Sequence, residues 1–304
     1  MRKDFEEIYN EIYEECIMDL KQVKKRINLS VGIVLLILIV LNLLILIFVS
    51  EKSLLTISIS VSVLFSILTF STGRKKYSKK YKNCVINGLI KKYNKNLEFD
   101  PQNGVSSYDY RISNFDTTFD EYYSEDRIYG QLENGAYINA SEITTYIVNE
   151  YVDGYGESKT DKTQTFRGYY GAVKLEKNPS IEITILGDNF TRKYSKKRLE
   201  VDSSEFEKYY DCITDDRVKA MEIFTSDLIE KYVDIMKVNK YLFEVKINNN
   251  MLYFRYKCGN VFEAPAVGIG LNKELIRKNY KLFFYPLEVI EETVNHIYSY
   301  VDTK

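Results

Sequence analysis

The sequence predicts an α+β protein carried on an N-terminal transmembrane helical hairpin, and three observations support this. Two uncharged apolar runs, Leu29–Val49 and Ser53–Thr72, lie back to back with only Ser50, Glu51 and Lys52 between them. Each has the roughly 20 residues that a helix needs to cross the hydrocarbon core of a bilayer. Beyond them come strand-like stretches, a helical insert, more strands and a closing helix, which is the order of an α+β domain rather than of alternating βα units. At 304 residues the chain has room for the hairpin and one domain of ordinary size.

In chain order the first element is an amphipathic juxtamembrane helix over residues 1–28. Phe5, Ile8, Ile12, Cys16, Leu20, Val23 and Ile27 recur at helical spacing and make one apolar stripe. The hairpin follows over 29–72, with spans at 29–49 and 53–72. A second juxtamembrane helix over 73–97 carries Tyr77, Tyr81, Val85, Leu89 and Tyr93 along one side. Lys24, Lys25 and Arg26 precede the first span, Arg74, Lys75 and Lys76 follow the second, and the connecting loop offers only Lys52. Lys and Arg beside a span favour the cytoplasmic face, so a multi-pass protein of the cell membrane with both termini in the cytoplasm is expected. The acidic stretch ahead of the first run is unlike a cleavable signal.

The two juxtamembrane helices are each about 34–37 Å long at 1.5 Å per residue and can pair as an antiparallel stalk. Cys16 and Cys84 then fall at nearly the same depth, so a short thiol crosslinker should join them within one chain. The acidic side of the first helix is expected to meet Lys91, Lys92 and Lys95. The alternative is two independent amphipathic helices lying on the inner leaflet. Within the spans, Ser58, Ser62 and Ser66 form a small-residue face, and Asn42 lies at a depth that suits a hydrogen bond to Ser60 or Ser62. A polar pathway for ions is a second reading of those residues, and it needs an oligomer.

Residues 98–107 contain Pro101 and Asn103-Gly104 and read as a linker to a cytoplasmic domain over 108–304. A short helix is expected within Tyr108–Tyr122. Strands follow at Arg127–Leu132 and Ala136–Ala140, flanking the turn Glu133-Asn134-Gly135, and at Thr144–Val152. Asp153–Thr163 is polar and contains glycine, so it reads as a mobile hairpin loop before strands at Gln164–Leu175 and Ile181–Leu186. A helical insert is expected at Ser203–Tyr210 with Asp202 and Glu205 as a capping box, at Asp216–Ile223, and at Ser226–Lys237 behind Thr225. Leu242–Ile247 and Met251–Lys257 form a hairpin, and Pro286 opens a final helix over Leu287–Tyr300.

The charge distribution and the reactive residues narrow the function. Residues 1–104 hold 16 Lys and Arg against 10 Asp and Glu, while residues 105–304 hold 26 against 33. An acidic domain is a poor match for nucleic acid, whose binding rests on neutralising phosphates. Cys16, Cys84, Cys212 and Cys258 are far apart in sequence, which argues against a zinc site and against a disulfide framework. Asp215 and Asp216, with Asp211 nearby, are candidate metal-binding carboxylates, but such a pair before a helix is more often a cap. His296, the single histidine, lies four residues after Glu292 and reads as a solvated surface residue rather than a general base. Gly268-Ile269-Gly270 lacks the third glycine and the preceding strand of a dinucleotide loop. No cofactor and no metal are expected. The basic run holding Arg192, Lys193, Lys196, Lys197 and Arg198 is a candidate contact for anionic lipid headgroups, or else a solvated turn. Gly154-Tyr155-Gly156 is a candidate recognition loop, or else an ordinary hairpin tip.

Several pieces in order resemble a family of bacterial two-span membrane proteins known as domain of unknown function 3137. They are Asp126-Arg127-Ile128-Tyr129-Gly130, Ser141-Glu142, Phe166-Arg167-Gly168, Glu205-Phe206-Glu207-Lys208-Tyr209-Tyr210, Thr214-Asp215-Asp216 with Ala220-Met221, and Met251-Leu252-Tyr253. One departure is Tyr169-Tyr170, where a Leu-Phe-like pair is expected. The resemblance brings no activity and no catalytic residues. The expected function is therefore a membrane-anchored, non-catalytic binding or scaffold module that contacts membrane lipid or a protein partner. The alternatives are an enzyme using Asp215 and Asp216 on a membrane-associated substrate, or an oligomeric membrane pathway.

Overall fold

The computed structural model of the protein describes residues 5–48, 52–115, 118–188, 196–266 and 272–304. The chain divides into two compact units, Met1–Leu89 with Glu263–Ile276, and Ile90–Phe262 with Arg277–Lys304. Ser50, Glu51, Arg192, Lys193 and Gly268-Ile269-Gly270, each part of a sequence-based expectation, lie outside the described residues.

The first unit is built on two long helices, Phe5–Phe48 and Ser53–Tyr93, both long and apolar enough to cross a membrane. The first comprises α1 (Phe5–Ile12), a π-helical turn at Tyr13–Ile17 and α2 (Met18–Phe48). The second comprises α3 (Lys52–Tyr81), a π-helical turn at Lys82–Ile86 and α4 (Asn87–Tyr93). Their most apolar stretches bury nothing within the chain, and Leu36, Ile37, Leu43, Ile47, Phe65 and Leu68 are all exposed. Such a surface is stable only against lipid or other apolar matter, because each exposed side chain forfeits about 1.5–3 kcal/mol of burial in water. Asn42 Nδ2 donates to Ser62 Oγ across the hairpin at 2.9 Å, as its depth predicts, and also to its own helix at Leu38 O at 2.7 Å.

Beyond the apolar stretches the two helices pair as the expected stalk. Ile8, Ile12, Cys16 and Leu20 on one side and Tyr77, Tyr81, Val85 and Leu89 on the other are buried. Cys16 and Cys84 face each other with Cα atoms 6.0 Å apart and their sulfurs joined. The expected charge pairing is not what Lys91 makes, since it turns to Glu98 at 2.6 Å. Across the stalk Lys80 pairs with Asp19.

The second unit is a nine-stranded antiparallel sheet in the order β1-β2-β3-β4-β9-β8-β5-β7-β6. Its strands are β1 (Leu97–Asp100), β2 (Glu121–Gln131), β3 (Tyr137–Val152), β4 (Ser158–Lys174), β5 (Glu182–Gly187), β6 (Arg198–Leu199), β7 (Tyr210–Thr214), β8 (Phe243–Asn248) and β9 (Met251–Tyr256). Among the described residues, the helices that follow α4 are α5 (Ser107–Ile112), α6 (Ser204–Tyr209), α7 (Arg217–Ile223), α8 (Ser226–Asn239) and α9 (Lys273–Asp302). Consecutive Tyr169 and Tyr170 show how the sheet is covered, because neighbouring side chains on a strand point to opposite faces. Tyr169 meets Phe283 of α9 edge-on at 5.1 Å, while Tyr170 meets Tyr110 of α5 edge-on at 5.0 Å. One face therefore carries α9 and α8, the latter through Tyr232 against Phe243 at 5.8 Å. The other carries a smaller aromatic core of Tyr110, Phe119, Ile143, Phe166 and Tyr170 under α5.

The structure corrects several boundaries. The stretch read as a linker holds β1, an edge strand paired with β2 from Leu97 opposite Gly130 to Asp100 opposite Arg127. Ala136–Ala140 and Thr144–Val152, read as two strands, belong to the single strand β3. Most of the loop expected at Asp153–Thr163 is strand, because β4 begins at Ser158. The cap of α6 is Ser203 rather than Asp202, with Ser203 Oγ accepting from Phe206 N at 3.3 Å. Pro286 lies inside α9 instead of opening a helix. A proline there removes one backbone hydrogen bond. Aromatic packing just ahead of it anchors the helix, with Phe283 against Phe262 at 4.8 Å and Phe284 against Tyr93 at 4.6 Å.

Candidate functional site

The motif pieces of β2, β3 and β4 converge inside the sheet. Asp126 sits in a bulge of β2, where pairing with β3 jumps from Glu125 opposite Glu142 to Ile128 opposite Ala140. Its φ of +56° is a left-handed conformation that Asp tolerates better than most residues. Asp126 and Glu142 are both buried. Glu142 Oε1 accepts from Val261 N and from Phe262 N, the latter at 2.9 Å, so this carboxylate ties down the segment that leaves β9. Gly168 allows that segment to pass, since a Cβ there would lie 2.1 Å from Tyr256 O. Arg127 Nε donates to Asn139 Oδ1 at 2.7 Å, and Arg167 Nε donates to Asn260 Oδ1 at 3.0 Å. Burial, and then the charges of Glu142 and Asp126, hold the Tyr169 hydroxyl well above its ordinary pKa. That hydroxyl is buried with no hydrogen-bond partner among the described residues. The cluster thus organises backbone and offers no solvent-reachable acid or base.

The carboxylates singled out in the sequence are engaged in a helix cap and in ion pairs. Asp216 is the N-cap of α7 and accepts from Lys219 N at 3.1 Å, which is the first cause of its lowered pKa. Asp215 pairs with Lys197 at 2.8 Å. Asp211 is buried and accepts from Arg198 Nε at 2.9 Å, and Arg198 also pairs with Glu207. Of the candidate lipid-contacting residues within the described chain, Arg198 therefore points inward, while Lys196 and Lys197 are exposed. Burial pushes the thiols of Cys212 and Cys258 up to about 12, which leaves almost no thiolate at neutral pH.

Two further places were not apparent from the sequence. His296 is not simply solvated. Its Nε2 lies 3.5 Å from Asp227 Oδ2 and its Nδ1 lies 3.4 Å from Thr225 Oγ1. Asp227, Glu292 and His296 bring one donor atom each within 4.8 Å of one another, a nitrogen-and-carboxylate set of the kind that holds divalent metals. Lys231 pairs with Glu292 and Thr225 donates to Asp227, so the group as it stands clasps the first turn of α8 to α9. The only sequence signal for it was the i, i+4 spacing of Glu292 and His296. A shallow cavity of about 300 Å³ also lies between Asp109 and Ile112 of α5 and Tyr137, Lys174 and Tyr253 of the sheet. That is the lower end of the range for small-molecule sites.

Among the described residues of the second unit, the outer half of the β3–β4 hairpin is strongly exposed. Sheet pairing of β3 with β2 reaches only Tyr146, and that of β4 with β9 starts only at Tyr169. Beyond these limits the two strands pair with each other alone, from Ile147 opposite Thr163 to Val152 opposite Ser158. A bulge at Thr165 marks the boundary, and there Thr145 and Thr165 share a hydroxyl hydrogen bond of 2.7 Å. No residue from Tyr146 to Gln164 is buried, and Tyr155 at the tip is 94% exposed. Asp153 builds the turn by accepting from Tyr155 N at 2.9 Å and Glu157 N at 3.0 Å.

Comparison with known proteins bears out the resemblance drawn from the motifs. Residues 164–294 match the family model described as Protein of unknown function (DUF3137). No curated protein and no solved structure matches the chain. The outer ribbon lies almost wholly ahead of the matched stretch.

Proposed function

We propose that the chain is a membrane-anchored, non-catalytic binding module, held by the two apolar helices with both termini in the cytoplasm, whose contact surface is the outer β3–β4 ribbon. The observation that carries this reading is the ribbon's lack of support. A two-stranded hairpin alone is marginal in water, yet here six residue pairs extend past the sheet without a buried side chain. Tyr151, Val152 and Tyr155 cluster at its tip and are more than half exposed. Tyrosine is enriched at protein interfaces because it combines apolar area with a polar end. The partner is accordingly a protein that covers an aromatic tip. The non-catalytic part rests on the fate of the candidate groups: Asp216 caps a helix, Asp211 is paired, and the two thiols outside the stalk are protonated.

The test is a photocrosslinking amino acid placed at Tyr155 and, as a control, at Val218, which is also exposed, in the full-length chain in native membranes. The expected result is one discrete adduct from position 155 and none from position 218. Equal or absent adducts at both positions remove the ribbon as the contact surface.

A further inference from the structure

We propose that Cys16 and Cys84 form a redox-modification site, a thiol pair that closes across the stalk under oxidant and reopens under low-molecular-weight thiol. The inference rests on the cytoplasmic orientation proposed above, because a compartment rich in thiols keeps a cysteine pair reduced until an oxidant arrives.

Three features of the first unit support it. The Cα atoms are 6.0 Å apart, inside the 4.4–6.8 Å range in which a disulfide closes without backbone movement. Both cysteines also sit in π-helical turns, Tyr13–Ile17 and Lys82–Ile86, at the same level of the two helices. A π-turn widens the helix by one residue and turns neighbouring side chains to one face, and such turns recur at functional sites. Here both Cys16 and Ile17 are buried against the partner helix. Finally, the two sulfurs differ in access, since Cys16 is buried while Cys84 is partly exposed.

That asymmetry sets the order of steps. The Cys84 thiol reduces hydrogen peroxide to water and becomes a sulfenic acid. The Cys16 thiol then attacks this sulfur, the S–O bond breaks, and a second water leaves as the S–S bond forms. Two equivalents of a small thiol reverse the bond, are themselves oxidised to their disulfide, and return two protons to Cys16 and Cys84. Cys212 and Cys258 stand outside this chemistry because burial holds their thiols at about 12.

The test uses cells producing the full-length chain. Thiols are trapped by acid quench, and the denatured protein is labelled with a maleimide polymer that retards it on a gel. Four labels are expected before oxidant, two after brief peroxide, and four again after recovery, with Cys84→Ser giving three throughout and Cys16→Ser dropping from three to two under peroxide, because its Cys84 sulfenic acid has no thiol to close on. Four labels under every condition, or a chain-to-chain dimer on a non-reducing gel, overturn the proposal while leaving the orientation intact. Two labels before oxidant that persist through recovery also overturn it, since the bond is then permanent. In that case, protease added outside intact cells shows whether the orientation has failed as well, since it digests the domain only if the domain lies outside.

Discussion

The inner and outer halves of the β3–β4 hairpin are one pair of strands put to two uses. Inside the Thr145–Thr165 bulge, the strands bury Ile143, Phe166, Tyr169 and Tyr170, and Glu142 spends its carboxylate on two backbone amides. Outside it, the same strands keep their register with every side chain in water or only partly covered. A bulge adds twist and re-aims the chain, so the change of use falls where the ladder is interrupted. The inner half is determined by close packing and tolerates little. The outer half is determined by turn chemistry and cross-strand pairs, and is free to be shaped by what it meets.

The sharpest way to break this comparison is to add one methyl group to each half. Gly168→Ala places a Cβ against three backbone atoms, at 2.1, 2.9 and 3.0 Å, none of which can swing away. It should cost about 3 kcal/mol, in the range of overpacked or strained core sites. For a domain of this size that is about 6–12 °C of melting temperature. Gly154→Ala meets nothing within 4 Å and has no left-handed φ, so it should be neutral or stabilising by up to about 1 kcal/mol. Equal melting temperatures for the two variants would dissolve the distinction.

A smaller effect of opposite sign is expected at Tyr169. Its hydroxyl is buried without a hydrogen bond, and removing an unsatisfied polar group relieves a desolvation cost of about 1 kcal/mol or more. Tyr169→Phe should therefore raise the melting temperature by a few degrees, whereas Tyr155→Phe at the ribbon tip should leave it unchanged. A loss of stability in Tyr169→Phe would mean that the hydroxyl is satisfied after all.

The smallest effect is local and depends on pH. Asp153 has a lowered pKa, first through Lys159 and then through the backbone N–H groups of Glu157 and Tyr155. A carboxyl whose folded pKa lies below its unfolded value stabilises the fold above that unfolded value, near 3.9, and loses the contribution as pH falls through the folded one. Acid should thus loosen the ribbon turn while the inner strands remain paired. Backbone amide shifts of Gly154–Glu157 should titrate in that range in the wild type and stay flat in Asp153→Asn.

Much of this architecture was legible in the sequence, and what was hidden has physical reasons. The apolar helices and the Asn42–Ser62 bond follow from composition and depth alone. The cap made by Asp216 is a local interaction, three residues long, and is visible in the sequence. The outer part of β4 reads as a loop because Ser158–Thr163 is polar on both faces, and alternation signals a strand only where one face is buried. The short strand β7, Tyr210–Thr214, was absorbed into the helical insert because it follows α6 without a turn. Half of α9 was lost because proline usually ends a helix, and only the tertiary packing of Phe283 and Phe284 overrides it here. At the buried cluster, Glu142 reaches donors 119 and 120 positions away, a pairing that leaves no local trace. For Asp227 with His296, likewise, only the Glu292 spacing was visible.

The central claim is that the outer ribbon is a contact surface rather than a rigid extension of the core. Hydrogen exchange of the full-length protein, measured purified in detergent and again in native membranes, tests it most directly. Amides of 147–163 should exchange rapidly in detergent and become protected in native membranes, while those of 138–145 and 166–173 stay slow in both. An outer ribbon that exchanges at one rate in both settings, whether fast or slow, would contradict the account.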